Sequence, residues 1–207
     1  MRRIMIVGAG QSGLLLALGL QARGYETTLI SNRSADAIRE GRVLSTQCMF
    51  GDALAYERNL ELDLWADEAP RIDGLGVSVA APDGSRPIDW VGHLARPAQS
   101  VDQRVKMSRL LSLFESRGGE VVLEEATVAS LDQRAATYDL VLIAAGKGEL
   151  VKMFERDASR SPFVAPQRAL AVSYVRGLDK RPEHDFLAVR CNLCLLYTSD
   201  AADERSS

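Results

Sequence analysis

Gly8-Ala9-Gly10-Gln11-Ser12-Gly13 follows directly on a short apolar run, Arg3 to Val7. No other feature so narrows what the N-terminal part can become. A G-x-G-x-x-G turn between an apolar strand and an apolar helix is the signature of a dinucleotide-binding βαβ unit. Gly8 permits the tight strand-to-helix turn. Gly10 lets the backbone approach a pyrophosphate where a side chain would collide. Gly13 lets the helix pack closely on the strand. The exposed N–H groups and the dipole at the helix start favour phosphate charge. Gly8, Gly10, Gln11, Ser12 and Gly13 are therefore candidate cofactor-binding residues; the alternative is a purely structural glycine turn. A helix is expected over Gly13 to Arg23, with Gly24 at its C-cap, and a second strand over Glu26 to Ile30. Strand, turn, helix and strand within about 30 residues imply a parallel, right-handed crossover.

The second strand of such a unit usually ends in an acid that bonds the adenosine ribose. Here Ser31, Asn32 and Arg33 stand at that place, and Asp36 lies past it. Asn32 has the chemistry to bond a hydroxyl. Arg33 has the chemistry to lie over an adenine or meet a phosphate. The other reading is that Ser31 and Asn32 only begin a loop. The missing acid speaks against NAD more than against FAD.

Further along, residues 35–64 read as mixed and partly helical. Gly74 to Ala80 and Ile88 to Val91 flank Pro82-Asp83-Gly84-Ser85, a hairpin signal that interrupts the α/β alternation and points to a second layer. Val101 to Arg117 reads as an amphipathic helix with Val105, Leu110, Leu111 and Phe114 on its apolar face, stopped by Gly118-Gly119. Glu120 to Leu123 is a strand. Tyr138 to Ala145 is a strongly apolar strand ending at Gly146, suited to the centre of a parallel sheet. Val164 to Val175 begins another segment.

Composition excludes several classes. The 207 residues carry a formal net charge of −3, with no basic excess for nucleic acid or an acidic membrane. The longest apolar run, Leu14 to Leu20, is too short to span a bilayer, and glycines break the stretch that would imitate a signal peptide. Three cysteines, Cys48, Cys191 and Cys194, argue against a disulfide framework and fit a reducing cytoplasm. His93 and His184 lack metal-ligand spacing and read as ordinary surface or loop histidines, so no metal is expected. Cys191-x-x-Cys194 stands alone and is set aside. No acid–base dyad or nucleophile emerges, so no catalytic side chain is assigned.

Three more segments narrow the assignment: Gly41-Arg42-Val43-Leu44-Ser45-Thr46, Ser100-Val101-Asp102-Gln103-Arg104, and Asp139 to Lys147. Ser161-Pro162-Phe163 and Pro166-Gln167-Arg168-Ala169-Leu170 follow them. In this order and spacing the chain resembles the oxygenase component of two-component FAD-dependent styrene and indole monooxygenases. The resemblance runs to about residue 190 and is strongest between Val101 and Gly177. It implies an α/β fold, with a Rossmann-like FAD-binding domain of the p-hydroxybenzoate-hydroxylase-like kind and an interleaved, incomplete β-rich substrate domain. It also implies a separate NADH-dependent flavin reductase that supplies reduced FAD. Oxygen from O₂ would then pass to the double bond of a small aromatic substrate, an aryl alkene or indole. The strand ending at Gly146 would be a second flavin-associated motif, and Gly41 to Thr46 would run beside the flavin.

On their own chemistry, Arg42 is a candidate to offset the charge of a reduced flavin, or else a surface loop arginine. Ser45 either faces the flavin or caps local backbone. Arg104 either touches the cofactor or pairs with Asp102 to open a helix. Gly146 ends a strand at the carboxyl edge of a sheet, where ligands sit. The expected organisation is residues 1–50 as the FAD-binding βαβ, 51–98 as part of the substrate domain, 99–168 as the FAD domain continued, and 169–194 as the substrate domain resumed. Residues 195–207 resemble a translated sequencing adapter, which implies a parent chain continuing beyond about Arg190 and a fragment inactive alone. The competing readings are a single-component NAD(P)H-dependent aromatic hydroxylase, an FAD-dependent dehydrogenase or reductase, and a non-catalytic flavin-binding module. The oligomeric state is open, a homodimer included.

Overall fold

The computed structural model describes residues 2–43, 47–146, 149–165, 174, 177 and 179–194. In chain order the elements begin β1 (Arg3–Val7), α1 (Gln11–Gln21), β2 (Glu26–Ser31), α2 (Ala35–Arg39), β3 (Gln47–Met49) and α3 (Gly51–Asn59). They continue β4 (Ile72–Ala80), β5 (Ile88–Val101), α4 (Gln103–Ser116), β6 (Glu120–Leu123), α5 (Val128–Ala135) and β7 (Leu140–Ile143). A 3-10 turn (Glu149–Met153) and β8 (Ala188–Cys194) complete them. Two compact units result: Met1–Leu44 with Asp102–Ala158, and Ser45–Val101 with Ser159–Ser207.

The first unit is a Rossmann-like α/β layer structure. Its four strands are all parallel, in the order β6-β2-β1-β7. The central strand β1 pairs Val7 with Ile30 on one side and with Ile143 on the other. Period-two alternation divides its apolar residues between two cores. Met5 and Val7 pack with Ile30, Leu131 and Leu150, walled by Val122, Val141 and Ile143. Ile4 and Ile6, equally buried, point to the opposite face. There α1 packs on β1 and β2, and α4 packs on α1 and α2. Leu14, Ala17 and Leu18 of α1 are buried, as are Met107, Leu110, Leu111 and Phe114 of α4. Gln21 ties the two helices at their ends: its Nε2 donates to the carbonyl oxygens of Phe114 (3.3 Å) and Arg117 (3.1 Å) at the close of α4.

Several sequence expectations change here. The first helix begins at Gln11 and closes at Gln21, and Gly24 sits at φ +80° in the turn beyond it. In α4 the buried stripe includes Met107, while Val105 is only half-buried, because it lies two residues round the helix from the stripe of Gln103, Met107, Leu110, Leu111 and Phe114. The apolar strand before Gly146 is shorter than expected. Among the described residues it forms an edge of the sheet, with β1 its one partner. Its apolar character comes from the core that α5 closes, not from strands on both sides. Residues 166–173, most of the segment expected from Val164, lie outside the described residues.

The second unit is a four-stranded sheet in the order β3-β5-β4-β8. The hairpin between β4 and β5 is antiparallel. Its turn places Gly84 at φ +79°, and the Asp83 carboxylate accepts from the Ser85 N–H (2.9 Å) and hydroxyl (2.6 Å). β8 adds parallel to β4, and β3 adds antiparallel to the far end of β5. Gly74 and Gly76 make room on one face of β4: Phe186 covers the first and Arg190 the second. Arg190 is held there by Asp89, at 2.5 Å. His93 and His184, distant in sequence, both meet the Phe186 ring, at centroid distances of 3.9 and 5.4 Å.

The tightest contact in the first unit gives a signed prediction. A Cβ built on Gly13 would stand 1.8 Å from the Gly8 carbonyl oxygen, which is backbone and has nowhere to go. In an exposed helix position, glycine to alanine would stabilise by about 1 kcal/mol. Gly13→Ala is expected instead to destabilise by about 2 kcal/mol or more, read as a lowered urea midpoint. An unchanged or raised midpoint would contradict the packing.

Candidate functional site

The order β6-β2-β1-β7 places the chain reversal between β1 and β7. β2 lies to one side of β1, and β7, reached much later, lies to the other. Ligands of open parallel sheets sit at the carboxyl ends of strands at such a switch point. Gly8 to Gly13 leave β1 at this point, Ser31 to Arg33 leave β2, and Ala144 to Gly146 leave β7.

The three glycines of the turn are not equivalent. Gly8 sits at φ +116°, and a Cβ on it would meet the Ala144 carbonyl oxygen at 2.8 Å. Its N–H donates to the Ile30 carbonyl (2.9 Å), fastening the turn to β2. Gly13 is crowded by Gly8 itself and, at 3.4 Å, by the Ala144 methyl. Both are glycine because the protein's own backbone fills the space. Gly10 is different. It is the N-cap of α1 in ordinary extended geometry, and a Cβ there would meet nothing within 4 Å. Nothing in the fold requires glycine at position 10. A ligand that approaches the backbone closely would. The N-terminus of α1 has no side-chain cap, and no acid stands in its first turn. Its backbone donors and dipole are thus turned toward an external anion. The residues present fit the pyrophosphate of a dinucleotide, with Gln11 and Ser12 opening the helix behind Gly10.

At the end of β2 the buried Ser31 is committed locally. Its hydroxyl donates to the Arg33 carbonyl (2.7 Å), and its oxygen accepts from the Arg33 N–H (3.2 Å). Of the two ribose candidates, only Asn32 is exposed with its side chain at the surface. Arg33 is half-buried, its Nη1 3.5 Å from where a Gly41 Cβ would stand. Arg42 is exposed just beyond. Ser45, Thr46 and Lys147 lie outside the described residues. Gly146 is exposed, in open space, two residues past the Ala144 that packs on the glycine turn. Sequence reading had not singled out Ala144; a small residue at the end of the apolar strand was the available signal.

Arg104 is oriented by Asp102, the N-cap of α4. The carboxylate accepts from the Arg104 N–H (2.8 Å), from Nε (3.1 Å) and from Nη2 (2.6 Å). The side-chain bond from Arg104 is the main cause that holds the Asp102 carboxyl below the usual carboxylate range, with Arg39 adding a smaller attraction. The helix-opening pair is thus present, and it fixes where the Arg104 cation stands. Cys191 and Cys194 both fall within β8, at the positions paired with Val77 and Ala80. Among the described residues no group of three or more histidine, cysteine or acidic side chains could hold a metal ion, and no helix is long and apolar enough to cross a membrane.

The family model named for the substrate-binding domain of styrene monooxygenase A matches residues 146–194. The chain is 33% identical over 181 residues to styrene monooxygenase StyA of Pseudomonas fluorescens, covering 87% of this chain and 43% of that protein. A second StyA, from a Pseudomonas species, is 33% identical over 183 residues with the same coverage. The chain therefore spans less than half the length of these relatives. Among solved structures, the tetrameric 2-methyl-3-hydroxypyridine-5-carboxylic acid oxygenase superposes with a TM-score of 0.47 at 16% identity, over 59% of this chain and 31% of that one. The flavin-dependent brominase Bmp2 gives 0.46 at 20%, over 60% and 29%.

Two outcomes test the site. Gly10→Ala is expected to change folding stability by no more than about 1 kcal/mol, the scale of an altered N-cap. The same change is expected to weaken ADP binding by calorimetry at least about tenfold; unaltered affinity would remove the pyrophosphate from this turn. Asp102→Asn keeps an N-cap side chain but loses the pairing charge. Because the folded carboxyl titrates below its unfolded value of about 3.9, its contribution is complete above that pH and vanishes as pH falls through the lower, folded value. The stability gap between wild type and Asp102→Asn should be constant from neutral pH down to about 5 and close below about 4. A gap that persists at pH 2 would show the pair is not its source.

Proposed function

We propose that the chain carries the FAD-binding part of a flavoprotein monooxygenase of the styrene monooxygenase kind, acting on an aryl alkene or indole double bond with reduced FAD from a separate reductase. The nucleotide part of this reading is carried by Gly10, a glycine that the fold itself does not require, at the switch point of the parallel sheet. The oxygenase part rests on the similarity to StyA, which reaches across 87% of the chain.

In this reading the Gly8–Gly13 turn and the start of α1 hold the pyrophosphate, and Asn32 and Arg33 meet the adenosine. Arg42, Ser45 and Gly146 border the flavin, and Arg104, steadied by Asp102, adds a fixed positive charge at the head of α4. FAD supplies the oxygen chemistry when bound and reduced. The protein's part is to position it, balance its charge and keep water away, which is why no nucleophile or acid–base pair is needed among the side chains. The first unit is the FAD-binding domain, interleaved with the second in the p-hydroxybenzoate-hydroxylase-like manner, and the second unit contributes to the substrate domain. This assigns residues 1–50 and 99–168 chiefly to the cofactor and 51–98 and 169–194 to the substrate.

The experiment is a chimera in which residues 1–194 replace the matching segment of the P. fluorescens StyA. Supplied anaerobically with reduced FAD and then with ¹⁸O₂ and styrene, a chimera that binds FAD is expected to yield ¹⁸O-labelled styrene oxide. FAD binding with rapid reoxidation and no labelled product would overturn the oxygenase reading in favour of a dehydrogenase or a binding module. NADH oxidation without any reductase would favour the single-component hydroxylase.

A further inference from the structure

The end of β2 is electrostatically unusual for a dinucleotide site. The acid that normally accepts from the adenosine 2′-hydroxyl also repels a phosphate at that position. Here that place holds Ser31, Asn32 and Arg33. Ser31 is turned inward and bonded to the Arg33 backbone, so it cannot face a ribose. Asn32 is neutral and exposed. Arg33 is half-buried against Gly41, and among the described residues its guanidinium has no ion-pair partner. With no acidic partner, its paired N–H donors are left for an external anion. Arg39 and Arg42 follow within the same short stretch, against Asp36 and Glu40. Arg39 already lies close enough to Asp102 to lower its pKa.

We infer that the adenosine end of this site accepts a 2′-phosphate, so that adenosine nucleotides carrying one bind at the Asn32–Arg33 corner alongside, and in competition with, the FAD assigned above. This rests on the nucleotide reading of the glycine turn, and it concerns a different feature: the selectivity of the corner. Arg33 supplies paired N–H donors matched to phosphate oxygens, Asn32 supplies an amide N–H, and no acid stands among Ser31, Asn32 and Arg33.

The test compares 5′-ADP with 2′-phospho-ADP by calorimetry on the chain, each as a competitor of FAD. The expected result is that 2′-phospho-ADP binds at least as tightly as 5′-ADP, with a steeper loss of affinity as salt is raised. Asn32→Asp should lower the affinity for 2′-phospho-ADP relative to that for 5′-ADP by about tenfold or more, since it restores the acid and adds repulsion. Arg33→Gln should weaken 2′-phospho-ADP selectively. The inference is overturned if wild type binds 5′-ADP but rejects 2′-phospho-ADP, a result that leaves the nucleotide site standing. It is equally overturned if Arg33→Gln weakens both ligands alike, which would make Arg33 a support for the adenine. If neither ligand nor FAD binds, the nucleotide reading itself fails and this inference falls with it.

Discussion

The first unit depends on a three-way backbone contact: Gly8 and Gly13 against each other, and both against Ala144. Turn, helix and edge strand come together with no side chain larger than a methyl between them. That closeness seats the start of α1 directly behind the end of β1, and it brings the loop after β7 to the same edge of the sheet. Any side chain at position 13 would push the helix away from the strand. The donors at its N-terminus would then no longer point over the carboxyl edge. The same packing that closes the core therefore aims the helix dipole, and the aim makes the edge a place for an anion.

Much of this was legible from residue order. β1 and β2 fall within a residue of where apolar runs put them, because a parallel strand buried on both faces leaves little choice of side chain; β6, half-buried at the sheet edge, falls there too. The hairpin at Asp83-Gly84 was equally plain, since few turns other than one with φ > 0 at glycine suit that pair. What escaped was decided by tertiary context. β5 runs on to Val101 through Arg96 and Pro97, residues that weaken a strand signal, because it has β4 beside one stretch and β3 beside another. α5 is announced only by a Thr127–Ser130 capping box, which lacks the usual Glu or Gln at its third position. The strand at β7 looked central because both its faces are apolar, yet pairing, not composition, decides position in a sheet.

The site residues divide the same way. The separate reasons for the three glycines could be stated from the motif. Only the structure separates the two that the protein itself demands from Gly10, which it does not. Ser31 and Asn32 were equivalent as letters; a local turn withdraws the first and leaves the second outside. The pairing of Arg104 with Asp102 follows from helix capping, a general habit of chains. That His93 and His184 would meet one phenyl ring could not be read from a separation of 91 residues, because β8 brings the second beside β4 only when the sheet forms.

The central claim is that the Gly8–Gly13 turn receives the pyrophosphate of FAD. The most direct test is amide hydrogen exchange across residues 8–14, with and without FAD. Slowed exchange concentrated at Gly10 to Gly13, with the far ends of β1 and β2 unaffected, is the result this structure predicts. Saturable FAD binding that leaves those amides exchanging as before would place the cofactor elsewhere and contradict the account.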